Sequence, residues 1–296
     1  MNPAPLTRQI VSGFEQMSAQ LQKAARYILD HPHDVALLTM RQQARVAGVQ
    51  PATMTRLAKH LGLTGYEAVR ELYAKVFRAG GFDLARRADQ QMARQKLRGD
   101  QALAAEIASS LATQVAALAE PESLSRLVAA AETLASARRI YCLGMRACFP
   151  AIAYFHYVIS LVRDGVILFH GFGGLGVDGL HNAASDDVLL VSSVRPYTRI
   201  VVEAVRYARA RNVPVVAITD SAVSPLTEQA QHAILVPTHS PSFFHAMAPT
   251  FTAAEILAAL VAGRGGANAL RALKDAQEQL AAFRVHYDPK HRGKVS

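Results

Sequence analysis

The stretch Thr39–Tyr66, TMRQQARVAGVQPATMTRLAKHLGLTGY, predicts a short helix, a tight turn and a second helix. Thr39 is a suitable N-cap residue for the first helix, and Gly48 can adopt the left-handed conformation that ends it. Pro51 suits the first turn of the second helix, where its missing N–H is not needed. The second helix has one apolar face, with i, i+3, i+4, i+7 spacing, formed by Met54, Leu57, Ala58 and Leu61. This arrangement predicts a helix-turn-helix over residues 39–62, a motif that places its second helix in the major groove of DNA.

The polar surface of this segment carries hydroxyl and basic side chains, and no acidic residue occurs between Thr39 and Tyr66. A surface that faces phosphates does not tolerate carboxylates, so this pattern favours DNA binding over a helical hairpin with a solvated basic face. The candidate DNA-binding residues are Arg41, Gln42, Thr53, Thr55, Arg56, Lys59, His60 and Tyr66. The two threonines and Arg56 are expected to approach base edges, whereas the other basic residues and the tyrosine are expected to hold phosphates.

The run VAGVQPATMTRLAKHLGLTGYEAVRELYAKVF, which begins at Val46, resembles the N-terminal domain of the RpiR family of bacterial transcriptional regulators. In that family a helical segment with the pattern aT-x-x-R-x-x-K-x-L-G-x-x-G-Y precedes a sugar isomerase (SIS) domain. The resemblance covers roughly the first eighty residues. It implies that this part of the chain binds double-stranded operator DNA.

Length and charge agree with two domains and an anionic partner. The 296 residues carry a formal net charge of +9, and 51% of them are apolar, as expected for a folded protein with two buried cores. Residues 1–80 contain ten Lys or Arg and five Asp or Glu, a net charge of +5. A ribosomal or membrane-surface protein would have the same sign of charge, but here the charge coincides with the helix-turn-helix pattern.

The sequence offers no cofactor site. Cys142 and Cys148 are too few for a disulfide framework and lack zinc-ligand spacing. The eleven histidines are scattered, without HExxH or a spacing of two histidines and one carboxylate, so no metal and no other cofactor is expected. We find no signal-like apolar N-terminus and no run of about 18 apolar residues that would span a bilayer. We therefore expect a soluble, cytoplasmic protein.

The periodicity along the chain predicts the domain boundaries. Amphipathic helices at 6–15, 19–29 and 64–77 surround the helix-turn-helix and give an all-α DNA-binding domain over residues 1–80. A charged, partly helical linker is expected over 81–102, an α/β domain over 103–285 and a basic tail over 286–296. We expect a homodimer or a dimer of dimers, with subunit contacts at the apolar faces 251–260 and 267–283.

The α/β domain is predicted to be a doubly wound parallel sheet. Apolar strands are expected to end at Gly144 and to lie at 166–169, 187–192, 213–219 and 233–237. Helices separate these strands, with a short one at 225–230. Such a pattern is typical of a sheet that is covered on both faces. Ligands of these sheets bind at the carboxyl ends of the strands, where the strand order switches, which here means the segments 144–148, 192–198 and 219–224.

Hydroxyl and guanidinium side chains gather at these strand ends. Such groups near a helix N-terminus suit a phosphate or a carboxylate, although the serines could also cap the helix while the arginines are solvated. Asp220 could bind a ligand hydroxyl or cap the short helix that follows. The candidate effector-binding residues are Arg146, Cys148, Ser192, Ser193, Arg195, Tyr197, Thr198, Arg199, Asp220 and Ser224.

The segment Gly171–Gly176 matches the dinucleotide-binding pattern GxGxxG and follows a predicted strand. However, Asp178 and Gly179 interrupt any long helix behind it, and no acidic residue ends the next strand. The pattern also follows the second strand, whereas a dinucleotide fingerprint follows the first. We therefore interpret this segment as a loop at the rim of a pocket and not as a nucleotide site.

A second resemblance covers residues 138–262. The runs YCLGMRACFPA and DVLLVSSVRPYTRIVVEAVRYARARNVPVVAITDSAVSPLTEQAQHAILVP are similar to an SIS domain, a doubly wound sheet that recognises phosphorylated sugars. Two loops depart from the SIS pattern. Gly-x-Gly-x-Ser is here Gly144-Met-Arg-Ala-Cys148, and Ser-x-Ser-Gly-x-Thr is here Ser192-Ser-Val-Arg-Pro-Tyr-Thr198. Two sites of close backbone approach are lost and two arginines are gained, which favours another small anion, such as a carboxylate, over a phosphosugar.

Taken with the RpiR resemblance, these features predict a DNA-binding regulator whose SIS-like domain senses a small anionic metabolite, either a sugar phosphate or a carboxylate. The alternative is a sugar-phosphate isomerase with a helical appendage. SIS isomerases move protons with a Glu and His pair, and no such pair can be assigned here, so no catalytic residue is expected. A third hypothesis, a metabolite-binding module with an RNA partner, is disfavoured because the threonine-rich helix has no exposed aromatic platform.

Overall fold

The structure, a computed structural model, describes residues 4–31, 34–35, 38–78, 84–170 and 176–287. The chain divides into two compact units. The helical unit comprises the residues up to Leu111 together with His239–Ala246, and the α/β unit comprises Ala112–Thr238 together with the residues from Met247 onward.

The helical unit is built from amphipathic helices around one apolar core. These helices are α1 (Ala4–Gly13), α2 (Ala19–Asp30), α3 (Met40–Val46), α4 (Pro51–His60), α5 (Tyr66–Arg78) and α6 (Leu84–Arg98), and α7 (Asp100–Ala116) follows them. The predicted apolar face of α4 is confirmed, because its members are all buried in the same core as Ile10 and Ile28. Helices α1 and α2, which precede the motif, therefore share one core with α4.

The two helices of the motif begin and end as the sequence predicts. Thr39 caps α3 in a reciprocal capping box, in which the Gln42 N–H donates to Thr39 Oγ1 and the Thr39 N–H donates to Gln42 Oε1 at 2.9 Å. Gly48 has a φ of +63°, and Pro51 is the first residue of α4. The Val49 N–H donates to the Ala44 carbonyl at 3.0 Å, which closes the turn.

One buried amide ties the motif to its neighbours. Gln43 is fully buried, and its Nε2 donates to the carbonyl oxygens of Val35 at 3.2 Å and Leu38 at 2.8 Å. Its Oε1 accepts a hydrogen bond from the Tyr66 hydroxyl at 2.6 Å. Because a buried amide is stable only when its donors and acceptor are paired, Gln43 fixes α3 against both the preceding segment and α5.

The segment expected to be a linker is mostly one helix. Residues 79–83 lie outside the described residues, and α6 follows them. In α6, Arg87 donates to the carbonyls of Ser242 and Phe244, both at 3.3 Å, and Arg94 donates to the Pro241 carbonyl at 2.5 Å. Gln91 Oε1 accepts from the Phe243 N–H at 2.9 Å. The loop 239–246, which follows the last strand of the sheet, therefore packs as part of the helical unit.

The α/β unit alternates strands and helices. The strands are β1 (Ile140–Gly144), β2 (Val166–Leu168), β3 (Val188–Ser192), β4 (Val215–Thr219) and β5 (His232–Leu235). The helices are α8 (Pro121–Ser136), α9 (Phe149–Ser160), α10 (Arg199–Ala210), α11 (Ala248–Arg264) and α12 (Gly266–Ala282). Short 3₁₀ turns lie at Arg146–Cys148 and Asp178–Asn182.

The five strands form one parallel sheet in the order β2-β1-β3-β4-β5. The connection from β1 to β2 runs toward one edge and the connections after β3 run toward the other, so the order switches between β1 and β3. Gly144 and Ser192, the last residues of these two strands, are register partners. The switch point therefore lies at the strand ends that the sequence singled out.

Both faces of the sheet are covered, which confirms the predicted doubly wound class. Ile140 and Cys142 point toward the core that contains α8, α9 and α11. Tyr141 and Leu143 point to the opposite face, where α10 packs. This alternation explains why the strands read as continuous apolar runs.

Two expectations about secondary structure need correction. The short helix expected at 225–230 is a series of turns. Helix Asp100–Ala119 is long and apolar enough to cross a membrane by length and composition, with a mean hydropathy of 1.4, although no apolar run of this length was expected. Only 17% of the most apolar 18 residues of this helix is buried. A single such helix is weak evidence for a membrane span, and this one carries Asp100 and Glu106.

A buried ion pair at the amino end of the sheet gives a stability prediction. Asp187 is fully buried and accepts from Arg138 at 3.0 and 2.8 Å and from the Ala184 N–H at 2.9 Å. We expect Asp187→Ala to lower the free energy of unfolding by about 1–3 kcal/mol, because the Ala184 N–H loses its partner. Urea denaturation of the full chain measures this loss.

The matched control is Asp186→Ala. The Asp186 carboxylate also lies 3.0 Å from the Arg138 guanidinium, but it is largely exposed. Its removal should lower the free energy of unfolding by less than about 1 kcal/mol. Equal losses for the two variants would show that burial of Asp187 does not stabilise the sheet.

Candidate DNA-binding surface and effector site

The helix-turn-helix presents a basic, acid-free surface. Arg41, Arg56, Lys59 and His60 are all exposed there. Thr55 is half-buried, and its hydroxyl contacts Met40 Sδ at 3.6 Å, within the looser range of a hydrogen bond to sulfur. These exposed basic residues lie on α3 and on α4, so most of the predicted DNA-contacting side chains are accessible to DNA.

Two of the predicted DNA contacts, Thr53 and Tyr66, need correction. Thr53 is only 2% exposed, so it cannot approach a base edge directly, although Arg56 Nη2 lies 3.5 Å from its hydroxyl. Tyr66 is 3% exposed and its hydroxyl donates to Gln43, so it is unavailable to a phosphate. Burial also raises the pKa of Tyr66. The Gln42 side chain is exposed, and only its Oε1 takes part in the cap of α3, so Gln42 stays a predicted contact.

Arg45 and Gln50 also lie on the motif, although neither is among the predicted contacts. Both are exposed and line a shallow cleft with Thr53 and Arg56. Arg45 lies four residues after Arg41 on α3, so the two share a helix face. This spacing could have predicted Arg45 from the sequence, because basic residues at i and i+4 of the first helix extend the cationic surface beyond α4.

Replacing Tyr66 by Phe tests the corrected role of this residue. The change removes the hydroxyl and leaves the buried Gln43 Oε1 unpaired, so the free energy of unfolding should fall by about 1–3 kcal/mol. The affinity of the folded chain for DNA should stay the same. Denaturation and an electrophoretic mobility shift, both on the full chain, measure the two effects. Weaker DNA binding with unchanged stability would restore the predicted phosphate contact.

The candidate effector site lies at the switch point between β1 and β3. The loop after β1 passes very close to α9, because a Cβ built on Gly144 would lie 2.8 Å from Ile152 Cγ1 and 2.9 Å from the Cys148 carbonyl. Only glycine fits there. Ser192 on β3 pairs with Gly144 on one side and with Ile218 of β4 on the other. The loops after β1, β3 and β4 are therefore adjacent.

Arg146 occupies an unusual backbone position in the first loop. It has a φ of +54°, in the left-handed region that an arginine adopts at a cost of about 1–2 kcal/mol. The SIS pattern has glycine at this position, where the same backbone is unstrained. The side chain of Arg146 is exposed. A strained residue kept at a strand end is a reason to suspect a function for its side chain.

The loop after β3 is organised by side-chain hydrogen bonds. Ser193 Oγ accepts from the Thr198 N–H at 3.1 Å. This bond lies within the loop and does not cap α10, whose N-cap residue, Thr198, makes no side-chain cap hydrogen bond. Both residues were expected to hold an effector, but this bond already uses the Thr198 N–H. Arg195 is exposed, and a cis peptide bond joins it to Pro196. Arg199 is exposed at the first residue of α10.

Ser224 needs correction as an effector-binding residue. It is buried, and its hydroxyl accepts from Thr219 Oγ1 at 3.2 Å and from the Thr227 N–H at 3.1 Å. It also shares a hydrogen bond of 2.9 Å with Thr227 Oγ1. These contacts use the full capacity of one hydroxyl, so Ser224 stabilises the turn after β4 and has none to offer a ligand.

Three buried polar atoms at the switch point have no hydrogen-bond partner: Ser192 Oγ, Tyr197 Oη and Asp220 Oδ1. Burial and the neighbouring Asp220 raise the pKa of Tyr197, whereas the neighbouring Arg195 acts to lower it. The Ser192 hydroxyl lies beside the Cys148 thiol, whose pKa is raised by burial and lowered by contact with Ser192. These polar side chains make the loops after β1, β3 and β4 the candidate effector site.

The GxGxxG segment and the basic tail are only partly covered by the described residues. Residues 171–175 of the GxGxxG segment lie outside them, and so do residues 288–296 of the basic tail. Gly176 is described, and only the short 3₁₀ turn Asp178–Asn182 follows it, instead of the long helix of a dinucleotide site. Among the described residues, no group of three or more His, Cys, Asp or Glu could hold a metal ion.

Comparison with known proteins identifies both units. The family described as "Helix-turn-helix domain, rpiR family" matches residues 5–77, and the SIS domain family matches residues 133–262. Together the two matches cover more than two thirds of the chain. A search of curated protein sequences gave no match.

Two solved structures share the fold. The sugar isomerase domain of an RpiR transcription factor from Sphaerobacter thermophilus is 23% identical, covers 60% of this chain and 98% of its own, and has a TM-score of 0.54. The NanR protein of Vibrio vulnificus, solved in complex with ManNAc-6P, is 22% identical, covers 94% of this chain and 98% of its own, and has a TM-score of 0.55. The two domain matches occur in the order that the sequence predicts, and the chain belongs to the RpiR family of helix-turn-helix transcriptional regulators with an SIS domain.

Proposed function

We propose that this cytoplasmic regulator binds operator DNA through α3 and α4 and that a small anionic metabolite in the α/β unit changes this binding. The basic, acid-free surface of α3 and α4 supports the first part, because phosphate contacts supply most of the affinity for DNA. The proposal that a metabolite binds is supported by the buried Ser192 and Tyr197 hydroxyls, which have no hydrogen-bond partner and lie in the same loop as Arg195. A regulator is favoured over an isomerase, since an RpiR-type DNA-binding domain precedes the sheet.

The proposed effector is an anion. NanR of Vibrio vulnificus, which has the same fold, was solved in complex with ManNAc-6P. In this chain, Arg146 and Arg195 are exposed at adjacent strand ends and can supply the positive charge. For the effector to regulate, it must bind one arrangement of the DNA-binding units more tightly than another.

We further propose that the regulator is a dimer, because one helix-turn-helix gives weak binding and two can address half-sites of a near-palindrome. Apolar side chains on the candidate contact faces are exposed in the single chain: Phe251, Leu270, Leu273 and Phe283. A partner subunit that covers them would remove this apolar surface from water.

The DNA-binding part is tested with Arg56→Ala. If Arg56 reads a base through a bidentate contact, its loss should weaken binding by about 1–3 kcal/mol, or roughly 5- to 150-fold. Fluorescence anisotropy of the full chain on DNA selected from a random library measures this loss. The charge-matched control is Lys96→Ala, an exposed residue in the last turn of α6, which should bind like the wild type. Equal affinities for all three proteins would remove Arg56 from the interface.

The sensing part is tested with the double variant Ser192→Ala and Arg195→Ala. A thermal-shift screen of sugar phosphates and small carboxylates first identifies a compound that changes DNA binding by the wild type. The double variant should bind DNA normally without the compound and should no longer respond to it. Arg209→Ala, an exposed residue in the last turn of α10, is the control that should still respond. A normal response by the double variant would place the effector elsewhere.

A further inference from the structure

Arg146 lies at the sharp turn that joins β1 to α9. β1 ends at Gly144, Met145 is still extended, and the 3₁₀ turn that leads into α9 begins at Arg146, whose φ is +54°. In a sharp turn from a strand into a helix, a central residue with a strained backbone presents its side chain at the carboxyl edge of the sheet. The exposed side chain of Arg146 is thus at the edge where the candidate effector site lies.

A helix end does not account for the backbone of Arg146, although it accounts for similar residues. Among the described residues, the other non-glycine residues with a positive φ are Asn212, at +58°, and Arg284, at +52°. Asn212 follows α10 and Arg284 follows α12. In both places this residue and the next one donate to carbonyls of the last helical turn at 2.9–3.1 Å, which is the Schellman motif. Arg146 follows a strand, so it has no such capping role.

The side chain of Arg146 does not offset the cost of this backbone through contacts in the fold. It is exposed, and its guanidinium makes no hydrogen bond or ion pair within the parts of the chain that the structure describes. Glycine would adopt the same backbone without the clash between a Cβ and the following carbonyl. Stability therefore favours glycine at this position, and contact with a ligand explains the use of arginine.

The surroundings of Arg146 suit a polar, anionic ligand. Gly144 pairs in register with Ser192 of β3, whose hydroxyl has no hydrogen-bond partner although the residue is only 1% exposed. The loop after Ser192 carries the exposed Arg195. A guanidinium binds a phosphate or a carboxylate through two parallel N–H bonds. A metabolite that bears hydroxyl groups and one such anion can therefore contact Arg146 through its charged group.

We propose, on the basis of the function proposed above, that Arg146 determines the charge of the effector by binding its anionic group. Phosphate and carboxylate both fit the planar fork of the guanidinium, so the experiment includes both. Glycine at position 146 would keep the turn and remove the charge. The two properties should then separate, because the substitution that removes anion binding does not lower stability.

Thermal unfolding of the full chain tests the strain at position 146. Arg146→Gly and Arg146→Ala both lack the guanidinium, but only alanine keeps the Cβ that clashes. We expect the glycine variant to have the higher unfolding midpoint of the two and not to fall below the wild type. Arg284→Gly and Arg284→Ala, at an exposed arginine with nearly the same φ, should show the same order. A midpoint of Arg146→Gly below that of the wild type would overturn the proposal, since the fold would then need the side chain.

Calorimetric titration of the same proteins tests anion binding with three related probes: glucose 6-phosphate, D-gluconate and uncharged D-glucose. We expect the wild type to bind at least one of the two anions about tenfold more tightly than glucose. Arg146→Gly should lose this preference, and Arg146→Lys, which keeps the charge without the fork, should retain part of it. Arg284→Gly should match the wild type. An anion preference that persists in Arg146→Gly, or a wild type that prefers neither anion, would overturn the proposal.

Failure of this proposal can be distinguished from failure of the proposed function. The same samples are assayed for DNA binding with and without each probe. If an anion changes DNA binding by the wild type and by Arg146→Gly equally, the proposed function stands and Arg146 is not its anion contact. If the anions bind with the expected preference but leave DNA binding unchanged, Arg146 keeps its role and the regulatory part of the proposed function fails.

Discussion

The close pairing of β1 and β3 is the constraint on which the α/β unit depends. These two central strands meet where the strand order switches, and their last residues, Gly144 and Ser192, are register partners. A side chain at Gly144 would collide with Ile152 of α9, so this position accepts only glycine. The same close approach that seats α9 on the sheet brings the loop after β1 beside the loop after β3. Packing and site geometry thus have one cause.

The buried polar side chains differ in whether they have hydrogen-bond partners. Gln43 and Asp187 are fully buried and hydrogen-bonded, and both hold secondary-structure elements together. Ser192, in contrast, is nearly fully buried with an unpaired hydroxyl. The strained backbone of Arg146 lies at the adjacent strand end. Folded proteins rarely keep such costs together unless a ligand or another group offsets them.

Periodicity and turn chemistry were sufficient to predict the fold. The apolar face of α4, the cap at Thr39 and the left-handed Gly48 follow from local rules, and the structure has all three. Continuous apolar strands likewise predicted a sheet covered on both sides. The short helix expected at 225–230 failed because hydroxyl bonds among Ser224 and Thr227 stabilise turns instead.

Site residues were harder to predict, because residue type does not reveal burial. Tyr66 is polar and lies near basic residues, yet Gln43, more than twenty residues earlier in the sequence, holds its hydroxyl in the core. Thr53 is likewise withdrawn into the helical core. The loops after β1 and β3 were predicted correctly as neighbours because parallel strands end on the same side. Which hydroxyls remain available there depended on long-range contacts that no local pattern encodes.

The loop 239–246 has a consequence for any attempt to separate the two units. It follows β5 in sequence, yet its backbone carbonyls accept from Arg87 and Arg94 of α6. A fragment that stops at Leu111 would lack those carbonyls and would leave two guanidinium groups without these acceptors. The helical unit is therefore encoded by two separate stretches of the gene. A chimera that transfers the whole unit to another sensor has to include residues 239–246 as well as the first 111 residues.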